Sequence, residues 1–151
     1  MSTKAFSLIE VLVFTTILSI VLVAATSVTV VSLRNMKANE HKILATRYAE
    51  ELEEWLESEK EENWYLFTEK AVSGLDTEYC FTDLNGWPSQ GSCSGFTQID
   101  GHGPAIFQRS ITLHKDTSRP ESITGFITIN WQELNSVQTL KINLVFTLWE
   151  K

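Results

Sequence analysis

The stretch from Phe6 to Leu33, FSLIEVLVFTTILSIVLVAATSVTVVSL, constrains this chain more than any other. It carries one ionisable side chain, Glu10, and none from Val11 to Leu33. A helix needs roughly 20 mostly apolar residues to cross a bilayer core, so the segment is long enough to span. Two features set it apart from a plain anchor. A carboxylate lies inside the apolar run, where an intramembrane charge costs at least ~2.5 kcal/mol and usually marks function. The segment also stands behind only Met1-Ser2-Thr3-Lys4-Ala5.

Lys4-Ala5-Phe6-Ser7-Leu8-Ile9-Glu10-Val11-Leu12-Val13, followed by the apolar run, resembles the prepilin N-terminal cleavage and methylation motif. The family is the type IV pilins, together with the pseudopilins of type II secretion. The resemblance implies a cut between Ala5 and Phe6 and methylation of the new Phe6 amine. Glu10 is then the fifth residue of the mature chain, the position where the family carries its characteristic glutamate. The departure is Ala5, where the family usually has glycine. The motif covers about the first fifth of the chain, and the rest is read on its own.

The resemblance implies partners and places. The partners are other pilin subunits, the prepilin peptidase and N-methyltransferase, and an inner-membrane assembly platform. The chain would lie in the bacterial inner membrane as a single-pass protein with a cytoplasmic N-terminus. After assembly it would lie in an extracellular pilus or a periplasmic pseudopilus. Lys4 agrees with that orientation, although Arg34, Lys37 and Lys42 flank the other end. The leader lacks the separate apolar region and A-x-A cut of a secretory signal. With the rest of the chain outside the inner membrane, Cys80 and Cys93 are expected to form a disulfide. Two reduced, partly buried thiols are the alternative. Metal is less favoured, because neither cysteine belongs to a CxxC or sits beside paired histidines.

The chain has 151 residues, room for one modest domain. Its formal net charge of -7 argues against nonspecific binding to nucleic acid or acidic membranes. No glycine or proline precedes Gly74, so Ser7 to Lys60 reads as one long helix. Its weakest part is expected at Thr26 to Ser32, where β-branched and hydroxyl residues lower helix propensity. Beyond residue 33 the helix becomes amphipathic. Leu44, Tyr48, Leu52, Trp55 and Leu56 make one apolar face, fit to pack on a sheet. Glu50, Glu51, Glu53, Glu54, Glu57, Glu59, Glu61 and Glu62 make the rest acidic. That is either a solvated face or a surface for basic residues of neighbouring subunits. So many glutamates near a helix C-terminus oppose its dipole, and something must compensate.

Trp64 to His102 is read as irregular. Trp64-Tyr65-Leu66-Phe67 is expected to tuck under the domain, and Thr77 to Thr82 to form a short strand. Asn85-Gly86-Trp87-Pro88 is a turn signal. Three alternating runs follow: Ala105 to His114, Ile123 to Trp131, and Thr139 to Trp149. Period two with polar alternates implies antiparallel strands with one covered face. The expected fold class is therefore α+β, a pilin-like lollipop. A long N-terminal helix, its first half spanning a membrane or filling a filament core, packs on an antiparallel sheet of about four strands. The expected divisions are a leader at 1–5, an apolar helix at 6–33, an acidic amphipathic helix half at 34–62, and a sheet domain at 63–151.

No catalytic constellation is legible. His41, His102 and His114 have no partner at a spacing that sequence can vouch for, and no phosphate loop or GxSxG is present. No enzyme activity, cofactor or resident metal is expected. Asp83, Asn85 and Asp100 lack EF-hand spacing, and turn capping accounts for them better than calcium.

The expected function is a structural filament subunit, a minor rather than a major pilin, with Glu10 pairing to a neighbour's Phe6 amine. A type II secretion pseudopilin is the alternative within the family. A single-pass, membrane-tethered binding or adhesion module is the alternative of another class, with Trp87 and Phe96 as possible tip aromatics.

Overall fold

A computed structural model describes residues 7–118, 121–134 and 136–148. The expected cut between Ala5 and Phe6, and the expected strand end at Trp149, lie outside the described residues. The chain divides into two compact units, one reaching Glu40 and the other beginning at His41.

Helix α1 runs over Leu8–Glu62. It is continuous through Thr26 to Ser32, where the sequence suggested weakness. Three of the four hydroxyls there donate back to carbonyls of the helix. Thr26 Oγ1 bonds the Val23 carbonyl at 2.9 Å, Ser27 Oγ the Ala24 carbonyl at 2.8 Å, and Thr29 Oγ1 the Ala25 carbonyl at 3.0 Å. Those bonds satisfy the hydroxyls without breaking the helical ladder.

In the second unit, the α1 residues from His41 onward lie on a sheet. Ala45, Tyr48, Ala49, Leu52 and Leu56 are buried, at the three- and four-residue spacing of one helix face. Leu44 and Trp55, read from the sequence as members of this face, are only partly buried. Ala45 and Ala49 take the centre because small side chains let the helix backbone approach the strands.

A short helix α2 follows at Trp64–Glu69, where the sequence suggested irregular chain. Asn63 caps it, its Oδ1 accepting from the Leu66 N–H at 3.1 Å. Of the apolar cluster here, only Phe67 is buried; Tyr65 and Leu66 face out.

The strands are β1 (Asp76–Cys80), β2 (Thr97–Ile99), β3 (His102–Lys115), β4 (Ser122–Glu133) and β5 (Ser136–Thr147). They form one antiparallel sheet in the order β1-β3-β4-β5, with β2 also pairing β3. The fold is α+β, as expected, and the sheet has five strands. The additional strand, β2, has three residues, too short for alternation to reveal.

The inner sheet face carries Phe107, Ile111 and Leu113 from β3, Ile123, Ile127, Ile129 and Trp131 from β4, and Phe146 from β5. All lie on the parity read from the sequence. At Gly125 a Cβ would stand 2.8 Å from Phe146 Cε2, so the bare backbone makes room for that ring. Leu134 takes φ 53° in the connection that Glu133 and Ser136 close.

Candidate functional site

The first candidate is the start of α1. Ser7 opens the helix, its carbonyl accepting from the N–H groups of Glu10 at 3.0 Å and Val11 at 3.3 Å. Glu10 lies in the first turn, where a carboxylate favours the helix dipole. Around and beyond it, large apolar side chains stand open: Leu8 is 83% exposed, Ile20 69% and Val28 69%. Monomeric soluble proteins rarely expose a contiguous apolar patch beyond a few hundred Å². By length and composition, α1 contains a stretch able to cross a membrane. Thr15, Thr16 and Ser19 also return their hydroxyls to carbonyls within the helix, at 3.0, 2.8 and 2.7 Å. Glu10 is the one ionisable side chain among the described residues of this stretch. Phe6, its expected partner on a neighbouring copy, and Ala5 lie outside the described residues.

The cysteines are joined. Cys80, the last residue of β1, is bonded to Cys93. The intervening loop folds back along the outer side of β1, with Tyr79 bridging Gln90 and the Gly91 N–H donating to the Glu78 carbonyl at 2.9 Å. Trp87 sits inside this loop. Its ring centroid lies 5.3 Å from Trp55, 5.9 Å from Phe67, 5.2 Å from Tyr79 and 5.8 Å from Phe81. Its Nε1 donates to Glu59 at 2.8 Å, and the Lys70 ammonium lies 5.5 Å from the ring. Trp87 is therefore a partly buried ring packed against the core, with a polar handle. Phe96 is partly buried as well. The loop has no free aromatic tip.

The site that sequence reading missed is Arg109, on β3. Its side chain is fully buried at 0% exposure. Nη2 meets Asp100 Oδ1 at 3.2 Å, and Nη1 lies 3.8 Å from Glu51 Oε2 on α1. Burial lowers the guanidinium pKa, with Asp100 and then Glu51 opposing the shift. Glu51 also accepts from Arg47 Nε at 2.7 Å, and that bond raises the Arg47 pKa. Asp100 is held at φ 53°, beside Gly101 at φ 70°. The signal was present in the alternation: Arg109 shares the parity of Phe107, Ile111 and Leu113. A buried cation on an inward parity requires a carboxylate within reach, and sequence did not say which.

Asp83 and the three histidines make local contacts. Asp83 caps a turn, accepting from the Asn85 N–H at 3.1 Å. No cluster of metal-binding side chains occurs among the described residues. His41 packs edge-on to Phe107, His102 Nδ1 lies 2.6 Å from the Asp100 carbonyl, and His114 Nδ1 lies 2.8 Å from Asp76 Oδ1. At the end of α1, Lys60 is buried in the last turn, which answers part of the dipole conflict.

Comparison with protein-family models, with characterised proteins and with solved structures finds no match.

Proposed function

We propose that this chain is a structural subunit of a type IV pilus or related filament, a minor pilin, assembled through α1. The carrying observation is the exposed apolar stretch of α1 with one carboxylate in its first turn. The motif resemblance around Phe6 and Glu10 supplies the class of assembly. In this reading the leader is removed before Phe6, and the new amine is methylated. The helix rests first in the inner membrane and then among the helices of its neighbours. An unpaired Glu10 in such an apolar core would be costly. Pairing with the Phe6 ammonium of an adjacent subunit offsets that cost. A shifted register would bury both charges alone, so the pair fixes register more than it adds stability.

The test is Glu10→Val in the full chain. Membrane insertion stays intact, and the amount recovered in sheared surface filaments falls sharply. Normal incorporation of the variant removes Glu10 from the mechanism. The mass of the mature N-terminus separates this reading from a membrane-tethered module. A methylated Phe6 with the leader missing supports the subunit. An intact Met1 or a cut near Ala25 supports the tether.

A further inference from the structure

The sheet has two outer strands, and only one of them is covered. The loop that carries Trp87 runs along β1, where Tyr79 bridges Gln90 and the Gly91 N–H donates to the Glu78 carbonyl. On the other side β5 ends the strand order and pairs, among the described residues, with β4 alone. Its twelve residues keep an unbroken register, from Ser136 opposite Glu133 to Thr147 opposite Ser122. Alternate residues of an antiparallel strand turn their N–H and C=O groups away from the neighbour, so roughly half of β5 turns them to the open edge. Open edges are ordinarily blunted by proline, a bulge, an inward charge or shortness. β5 has none of these and carries a single charge, Lys141. The core also thins towards this edge. Ile123, Ile127 and Ile129 of β4 are fully buried, whereas Leu140, Ile142 and Leu144 of β5, on the same face, are only partly buried. On the opposite face Lys141 is exposed and makes no ion pair with another described residue.

We propose that the free edge of β5 takes up an extended segment of another protein as a further strand, with apolar residues at alternate positions and a carboxylate opposite Lys141. Each part of that description has its own cause. A row of outward backbone donors and acceptors is matched by another backbone in strand conformation. The half-covered row Leu140, Ile142 and Leu144 is completed by apolar side chains on the same parity of the added strand. Lys141, on the other parity, is matched by a carboxylate directly across from it. A second copy of β5 does not meet the description, because it holds no carboxylate. Two β5 strands paired antiparallel about their centres, inward residues opposite inward residues, set Lys141 opposite or diagonal to its counterpart. Like charges so placed are destabilising. The contact uses no part of α1, so it goes beyond the filament reading and stands or falls apart from it.

The test uses the full chain in detergent micelles and the synthetic peptide acetyl-TVTVEVTVT-amide, which has valine on one parity and a central glutamate on the other. Amide hydrogen exchange is followed residue by residue. Adding the peptide is expected to slow exchange at alternate residues of β5 and to leave β1 unchanged. A peptide with serine in place of every valine is expected to give no protection. Lys141→Glu, its fold checked by circular dichroism, weakens the glutamate peptide about threefold and favours a peptide with lysine at the centre by a similar factor. Unprotected β5 amides, protection shared equally with β1, or a Lys141→Glu variant that does not exchange the two peptides' order would each overturn the proposal. So would β5 protection in the free chain that grows with protein concentration, because the occupant would then be a second copy. Recovery of the chain in sheared filaments is a separate measurement. Peptide uptake by a chain absent from filaments would refute the pilus reading and leave this contact established.

Discussion

Removing the charge of Asp100 should harm this protein more than removing the buried cation it serves. Arg109 is fully buried, with one carboxylate at 3.2 Å and another at 3.8 Å. At an effective dielectric constant of ~20, those contacts carry gross Coulomb energies of about 5 and 4 kcal/mol. Asp100 is 37% exposed and Glu51 30%, so solvent screens both. In Asp100→Asn the buried guanidinium keeps its desolvation penalty and loses its nearer counter-charge. Asparagine tolerates the left-handed backbone that Asp100 adopts, so strain does not enter. After discounting for screening, the expected cost is about 2–3 kcal/mol. Arg109→Met removes the desolvation penalty together with the attraction, and its two carboxylates can rehydrate at the surface. Its expected cost is below ~1.5 kcal/mol. The assay is equilibrium urea unfolding of the full chain in micelles, followed by tryptophan fluorescence, with far-ultraviolet circular dichroism to check the fold. An Arg109→Met variant less stable than Asp100→Asn would refute the reasoning, because the pair would then contribute net stability beyond its desolvation cost.

Other perturbations probe the packing. Gly125→Ala places a methyl group 2.8 Å from the Phe146 ring and should cost about 1–3 kcal/mol in the same unfolding assay. Phe146→Leu in that background should recover part of the loss, whereas simple additivity of the two changes would show that the ring is not the obstacle. Replacing Cys80 and Cys93 with serine opens a link with a sequence separation of 13. The chain-entropy relation puts the loss near ~3 kcal/mol. Because Trp87 lies within that loop, its fluorescence should shift to longer wavelength below the main unfolding transition; an unchanged spectrum would show that packing alone holds the ring.

What the sequence disclosed followed the length of each repeat. The alternation over β3, β4 and β5 ran long enough for period two to stand out, and the buried apolar positions keep one parity on each strand, although Leu140, Ile142 and Leu144 are only partly covered and Leu148 is exposed. The face of α1 was legible in outline, but Ala45 and Ala49 are fully buried in it while Leu44 and Trp55 are only partly buried. Hydrophobicity alone ranks leucine and tryptophan higher, and only the close approach of helix to sheet favours alanine. Helix α2 and strand β2 were too short to show a period. Trp87 stood in a turn signature, and its burial depends on rings from α1, α2 and β1 that no local pattern brings together. Arg109 was on the right parity, but its carboxylates come from residues 51 and 100, far from it in sequence. Glu10 is the reverse case. Its oddity is plain from the sequence, and in the proposed function its partner belongs to another molecule.

The loop between Cys80 and Cys93 also bears on when this protein becomes complete. Trp87 packs against rings from three other elements, and the covalent link holds its loop along β1. Reducing compartments keep thiols apart, so the link forms only where thiols are oxidised. The fully closed domain is therefore a product of an oxidising medium. In a reducing medium the same loop has its ring packing around Trp87 and the Trp87–Glu59 hydrogen bond to hold it in place.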